Sequence, residues 1–191
     1  MKFVVSVIAA LQAATALAAP SPQTDKSPTA PLKLRAVAPG QPFDGRFLTA
    51  KDVNLGIYAT KSKTEAFPIY AAEGTGGPNT YSLRKFPKDQ DHNELCLLGP
   101  PGLHSLVYFF EPRATDPLPP STLSFGAFTI TPAFNELGPA GTRRFLGYRG
   151  KSNSRWIAVP TGKGEYDIKY YDGSVIVTQD YIPLRVEVVR S

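Results

Sequence analysis

Cysteine, histidine and tryptophan are scarce in this chain of 191 residues, which has one cysteine, two histidines and one tryptophan. The lone Cys96 excludes a disulfide bond within the chain, and the leucines on both sides of it predict a buried thiol rather than a reactive one. A disulfide between two molecules is the alternative for an unpaired cysteine. Neither His92 nor His104 has a second histidine nearby in the sequence, so we predict no metal site.

Sequence motifs for catalysis are also missing. The chain has no Gly-x-Ser-x-Gly elbow, and its glycine-rich segment 74–78 has neither dinucleotide-binding nor P-loop spacing. We therefore expect a protein that is not an enzyme and that uses no cofactor. A small secreted hydrolase is an alternative, with either Glu111 and His104, or Glu165 and Asp167, as its reacting groups.

An apolar run of signal-peptide length lies at the N-terminus. Lys2 precedes an apolar stretch over residues 3–11, and Ala16-Leu17-Ala18 has the small-x-small pattern of a cleavage site. This predicts a secretory signal peptide over residues 1–18, because the run is too short to cross a membrane. We expect a protein that is secreted to the extracellular space or the cell wall, with no membrane segment after cleavage.

The chain carries a moderate excess of positive charge. The formal net charge is +5 at pH 7, and removal of residues 1–18 takes away Lys2 and no acidic residue, which leaves +4. Such an excess favours adhesion to anionic polymers, but the basic residues form no run of five or more, so solubility alone also explains it. We expect no nucleic-acid partner; cell-wall polysaccharide is the candidate partner, and the oligomeric state stays open.

Two segments of different composition follow the signal peptide. Residues 19–42 hold six prolines with serine and threonine between them, which predicts a disordered tail. Residues 43–191 alternate short apolar runs with Gly, Pro, Asn and Asp breakers, which predicts one all-β domain. The predicted strands are 46–50, 54–60, 67–72, 80–86, 94–98, 104–111, 123–131, 143–149, 155–159, 165–171, 174–178 and 183–190.

Many short strands favour a single-domain antiparallel β-sandwich. Short matches of Asn and Leu begin at Asn54, Asn93 and Asn135, and this faint threefold repeat makes a β-trefoil the alternative. Residues 143–178 are predicted to form a four-stranded meander with turns at 150–153, at 161–164 and at Asp172-Gly173, a dipeptide typical of a type I′ hairpin. The even-numbered residues of 166–170 and 184–188 are expected to face the core, because side chains alternate along a strand.

A cluster of aromatic and basic residues in this region is the best candidate for a ligand site. Flat aromatic side chains can stack on sugar rings, and basic residues would add positive charge at the edge of such a site. The candidate ligand-binding residues are Tyr171, Trp156, Arg149, Lys151 and Arg155. Tyr171 is expected to be exposed, whereas Trp156 has the alternative of filling the core together with Tyr166 and Tyr170.

Three segments follow one another in a recognisable order: Leu123-Ser-Phe-Gly-Ala-Phe-Thr-Ile-Thr-Pro132, Phe145-Leu-Gly-Tyr148 and Arg155-Trp-Ile-Ala-Val-Pro-Thr-Gly-Lys-Gly-Glu-Tyr-Asp-Ile168. Their order resembles that of the fungal phialide-associated cell-wall proteins, which are small secreted antigens, some of them IgE-binding. Members of that family typically carry a cysteine before the proline that matches Pro160, where this chain has Val159. The resemblance implies a non-enzymatic secreted or cell-wall protein, without catalytic residues to carry over.

The leading hypothesis is therefore a secreted, non-catalytic β protein that is associated with the cell wall in a structural or antigenic role. A carbohydrate-binding module or lectin-like secreted effector is the first alternative, and the small hydrolase is the second.

Overall fold

The structure is a computed structural model that describes residues 31–59, 66–87, 93–110, 123–132, 142–149 and 153–191. The predicted signal peptide, the first part of the predicted tail, and His92, Glu111 and Lys151 lie outside these residues. The regular structure of the described part is entirely β, which confirms the predicted all-β fold class. This part contains no helix long and apolar enough to cross a membrane.

Thirteen strands form an antiparallel sheet. They are β1 (Leu32–Val37), β2 (Thr49–Lys51), β3 (Asn54–Ile57), β4 (Ile69–Glu73), β5 (Tyr81–Lys85), β6 (Asn93–Leu98), β7 (Leu103–Phe110), β8 (Leu123–Ser124), β9 (Phe128–Thr131), β10 (Arg144–Tyr148), β11 (Arg155–Gly162), β12 (Glu165–Tyr171) and β13 (Ile182–Arg190). The predicted strand 123–131 is divided into β8 and β9, and the predicted strand 174–178 is absent.

The predicted disordered tail is wrong for residues 32–37, which form β1. β1 pairs with β13 along its whole length, from Leu32 opposite Arg190 to Val37 opposite Arg185. Leu34 and Ala36 of β1 are almost fully buried. The alternation of apolar and polar residues in β1 provides a core-facing side, and burying it outweighs the effect of the neighbouring prolines.

The strand pairings repeat three times around the molecule. Six strands pair in a closed cycle in the order β1, β4, β5, β9, β10, β13 and back to β1. The hairpins β2–β3, β6–β7 and β11–β12 are inserted between members of this cycle, and β3, β7 and β12 also pair with one another. This is the arrangement expected for the trefoil alternative, and a sandwich of two sheets does not require it.

The Asn and Leu matches do not mark this threefold repeat. Asn54 begins β3, the second strand of its hairpin, whereas Asn93 begins β6, the first strand of the next one. The third match, at Asn135, lies outside the described residues. The matches are therefore not structurally equivalent, although they pointed to a threefold arrangement.

The core-facing sides of the last strands agree with the predicted alternation. Ile168 and Tyr170 of β12 are buried, and so are Leu184, Val186 and Val188 of β13. These side chains join one hydrophobic cluster that reaches from β1 to β13. Each buried aliphatic side chain of this kind stabilises the fold by about 1.5–3 kcal/mol relative to full exposure.

The predicted four-stranded meander is only partly correct. The β11–β12 hairpin is present, and its turn residues Gly162, Lys163 and Gly164 all have positive φ angles. However, β10 and β11 both pair with β13 rather than with each other: Leu146 lies opposite Val186, and Trp156 lies opposite Leu184. The alternation of side chains defines the faces of a strand but not its partner, so local pattern could not predict this pairing.

Candidate functional site

Trp156 is a core residue. It is 4% exposed, its indole Nε1–H donates a hydrogen bond of 2.8 Å to the carbonyl oxygen of Leu146, and its ring packs edge-on against Tyr170 at 5.2 Å. The alternative that placed Trp156 in the core is confirmed, although the residue also contributes to the lining of the smaller groove described below. A ring buried in this way has no face available for stacking on a sugar.

Arg155 and Tyr171 lie directly opposite each other at one end of the β11–β12 hairpin. The guanidinium carbon of Arg155 is 5.6 Å from the centroid of the Tyr171 ring, within range of a cation–π interaction. The Tyr171 hydroxyl donates a hydrogen bond of 2.6 Å to the carbonyl oxygen of Val175. The prediction that Tyr171 is exposed is wrong: the residue is half-buried and its ring and hydroxyl both contact protein groups, while Arg155 is exposed.

Arg149 forms hydrogen bonds within the protein. Its backbone N–H donates to the carbonyl oxygen of Ala127 at 2.9 Å, and its guanidinium donates to the carbonyl oxygen of Gly76. These bonds connect Arg149, which follows β10, to the segment after β4 and to the residue before β9. Of the five predicted ligand-binding residues, only Arg155 and Tyr171 are brought into contact, and Lys151 lies outside the described residues.

The predicted hairpin at Asp172-Gly173 is wrong, because Asp172 is bonded to other groups. Its carboxylate accepts hydrogen bonds from the backbone N–H of Gly102 at 3.1 Å and of Ser174 at 2.8 Å, and its own N–H donates to the carbonyl oxygen of Gly102 at 3.1 Å. These bonds tie the segment 172–181 to the β6–β7 turn. The segment carries Ile176, whose side chain is 90% exposed.

A second group of side chains, which sequence reasoning missed, lies on the outer side of β10 and β13. The guanidinium carbon of Arg185 is 3.3 Å from the centroid of the Phe145 ring, and that of Arg143 is 5.4 Å from the same centroid. Glu187 lies opposite both Phe145 and Arg35, so β1 contributes an arginine as well. We call this group, Arg35, Arg143, Phe145, Arg185 and Glu187, the arginine surface.

Glu187 is shared by two arginines. Arg143 forms a bidentate pair with it, with two hydrogen bonds of 2.9 Å, and Arg35 approaches one of its oxygens at 2.7 Å. The hydrogen bond from Arg143, with a further contribution from Arg35, lowers the pKa of Glu187 although burial of the carboxylate opposes this effect. The hydrogen bond with Glu187 likewise raises the pKa of Arg143, and the negative charge of Asp44 raises it further.

Two other arginines near this surface, Arg185 and Arg155, have no carboxylate partner among the described residues. Arg185 and Arg155 are exposed, and each interacts with an aromatic ring rather than with an acid. A guanidinium that lies on an aromatic ring keeps its N–H groups at the edge available for a planar anion such as a carboxylate. Arg185 and Arg155 can therefore bind an external anion without first breaking an ion pair.

Two neighbouring grooves lie beside Arg143, Phe145 and Arg185 of the arginine surface. The larger has a volume of about 590 Å³ and is lined by residues that include Val37, Pro39, Pro183, Arg143 and Arg185. The smaller, of about 270 Å³, is lined by residues that include Phe145, Arg155 and Arg185. Leu184 and Arg185 line both grooves, so the two are adjacent.

Glu165 and Asp167, one pair of the hydrolase alternative, are engaged in structural contacts, whereas Glu111 of the other pair lies outside the described residues. Glu165 pairs with Lys51 at 2.9 Å and accepts a hydrogen bond from the N–H of Ala59 at 3.2 Å. The hydrogen bond from Lys51 lowers the pKa of Glu165, whereas a general acid at neutral pH needs a raised one. Asp167 accepts a hydrogen bond of 2.7 Å from the Tyr58 hydroxyl.

Cys96 and the described histidine do not form a reactive or metal-binding group. Cys96 is fully buried, and burial, followed by the charge of Glu94, raises the pKa of its thiol to about 12. His104 Nε2 lies 3.8 Å from a carboxylate oxygen of Asp172. Within the described ranges, no three His, Cys, Asp or Glu side chains are grouped so that they could hold a metal ion.

Comparison with known proteins gives no relative: no family model matches the chain, and neither the curated proteins nor the solved structures contain a match.

Proposed function

We propose that this chain is a secreted, non-catalytic protein that associates with a cell wall by binding polysaccharide. The observation that carries the proposal is the arginine surface, where exposed guanidinium groups lie beside two grooves with apolar walls. Binding sites for small molecules and oligosaccharide units have this composition, with apolar walls and few polar groups that fix orientation. The signal-peptide pattern and the resemblance to fungal phialide-associated cell-wall proteins support the location.

The binding role is favoured over the hydrolase role by the state of the carboxylates. Glu165 is held by Lys51, Glu187 is held by Arg143 and Arg35, and the pKa of each carboxyl group is lowered. Acid–base hydrolysis of a glycoside requires one carboxyl group whose pKa is raised, so that it can protonate the leaving group. A protein that only binds the polysaccharide does not need a carboxyl group with a raised pKa.

A sedimentation assay tests this proposal. The protein without residues 1–18 is mixed with insoluble fungal wall, chitin or β-glucan, and the bound fraction is measured at low and high salt. We expect binding to at least the whole wall at low salt, together with a protein that is exported when it is expressed with its own N-terminus. Absence from every wall fraction, or retention in the cytosol, would contradict the proposal.

A further inference from the structure

We infer that the arginine surface binds an acidic polysaccharide, with a uronate carboxylate of the sugar chain placed on Arg185. This inference rests on the proposed function and specifies its ligand. Arg185 is the central residue because it lines both grooves and is not paired with a carboxylate among the described residues. Arg143 and Arg155 lie on the two sides of it, one at each groove.

The geometry of Arg185 suits a carboxylate. Its guanidinium carbon lies 3.3 Å from the centroid of the Phe145 ring, which covers one face of the group and restricts its orientation. The N–H groups at the edge of a guanidinium can form two parallel hydrogen bonds with a carboxylate. Because Phe145 already restricts the side chain, less conformational entropy is lost when these bonds form.

The neighbouring grooves suit the remainder of a sugar chain. The larger groove, of about 590 Å³, lies within the range of about 300–1,000 Å³ that is typical of ligand sites. Its walls include Val37, Pro39, Ile182 and Pro183, which can pack against the C–H groups of a pyranose ring. A chain that continues into the smaller groove reaches Arg155, so successive acidic units can each meet an arginine.

Charge and stacking favour a polysaccharide over a nucleic acid. The arginines of the surface are partly neutralised by Glu187, and Asp44 lies close enough to affect Arg143, so the surface is only moderately positive. A phosphate backbone is densely charged, and single-stranded nucleic acids are also held by stacking of bases on open aromatic rings. Here the Phe145 ring is covered by Arg185 and Trp156 is buried.

Binding of polygalacturonate oligomers, measured by titration calorimetry at low salt, tests the inference. The variant Arg185→Gln removes the charge and the paired N–H groups, and we expect its affinity to fall at least tenfold. The matched control is Lys163→Gln, which changes the net charge equally at the tip of the β11–β12 hairpin. Lys163 is eight residues from Arg155, which separates it from the smaller groove by roughly 20 Å or more along the strand.

The outcomes separate the specific site from general attraction. A tenfold loss in Arg185→Gln with less than a twofold change in Lys163→Gln supports the inference. Equal losses in both variants, or no binding of the unaltered protein to polygalacturonate, overturn it. Binding of neutral β-glucan oligomers or of a DNA oligonucleotide as tightly as polygalacturonate also overturns it.

The same variants separate this inference from the proposed function. If Arg185→Gln and the unaltered protein sediment equally with fungal wall while neither binds polygalacturonate, the inference fails and the proposed function stands. If the unaltered protein binds polygalacturonate through Arg185 but does not associate with wall material, the site is real and the proposed function fails.

Discussion

Arg185 and Phe145 are in contact across neighbouring strands, with the guanidinium carbon of Arg185 on β13 lying 3.3 Å from the centroid of the Phe145 ring on β10. The two residues do not lie directly opposite each other, since Phe145 is paired with Glu187. The contact is therefore a diagonal one, which long and aromatic side chains can make across an antiparallel pair. It places a positive group at the junction of two grooves.

The first prediction concerns this contact. Phe145→Leu keeps every charge but removes the ring, so we expect polygalacturonate affinity to fall about threefold, in line with a cation–π contribution of about 0.5–1 kcal/mol at an exposed site. Titration calorimetry measures the affinity of the variant for polygalacturonate, and Phe67→Leu is the control for loss of an aromatic ring elsewhere. Unchanged affinity in Phe145→Leu would mean that the ring does not orient Arg185.

The second prediction concerns Glu187 and pH. Its pKa is lowered in the folded protein, so its ion pairs stabilise the fold at pH values above the ordinary value of 4.5, and this contribution is lost as the pH falls through the lowered pKa. We expect Glu187→Gln to reduce the free energy of unfolding at pH 7 by about 2 kcal/mol, the size of a charged hydrogen-bonded contact. The difference from the unaltered protein should shrink as the pH falls below 4.5 and through the lowered pKa.

Urea denaturation at several pH values measures this second effect. Lys51→Gln is a useful comparison because it breaks the exposed pair with Glu165 instead, and exposed pairs contribute little. A pH-independent difference between Glu187→Gln and the unaltered protein would show that the ionised carboxylate is not responsible.

The third prediction concerns Trp156. Trp156→Phe retains an aromatic ring but leaves the carbonyl oxygen of Leu146 without its donor, so we expect a loss of about 2 kcal/mol in the free energy of unfolding. Although Trp156 is among the residues that line the smaller groove, it is only 4% exposed, so binding of polysaccharide should change little once the variant is folded. Thermal unfolding measures the stability of the variant, and calorimetry measures its affinity for polysaccharide. A variant that folds but no longer binds would show that Trp156 takes part in ligand binding.

The fourth prediction concerns Cys96. Its thiol is buried and its pKa is about 12 against an ordinary value of 9.0, so at pH 8 the thiolate fraction is lower by about 1,000-fold. We expect a disulfide reagent to label the native protein much more slowly than the unfolded protein. Equal labelling rates, or a dimer that is lost on reduction, would contradict the buried state.

The fifth prediction concerns the segment that follows β12. Asp172→Ala removes the acceptor for the N–H groups of Gly102 and Ser174, so we expect cleavage within residues 173–181 by a nonspecific protease to be about tenfold faster. Asp180→Ala is the matched control, since it removes an exposed carboxylate of the same segment. Similar cleavage of both variants would show that Asp172 does not anchor the segment.

Most strands and their core-facing sides follow from local sequence. Ile168 and Tyr170, or Leu184 and Val186, repeat at every second residue, and a strand turns such residues to one side whichever strand it pairs with. The turn at Gly162 to Gly164 was likewise predictable, because glycines readily adopt the positive φ angles found there. The buried state of Cys96 follows from its leucine neighbours in the same way.

Only the tertiary structure decided which strands pair with one another, and these pairings determine which residues form the candidate site. Arg35, Phe145 and Arg185 are brought together only because β1 and β10 both pair with β13, at separations along the chain that local pattern cannot specify. The pairing of β11 with β13 places Trp156 beneath the surface, and the pairing of β1 with β13 draws residues 32–37 into the sheet. The sequence by itself determined the all-β class, the faces of the strands and several turns, because these depend on neighbouring residues. The arrangement of the arginines depends on contacts between residues distant in the chain, and only folding establishes those contacts.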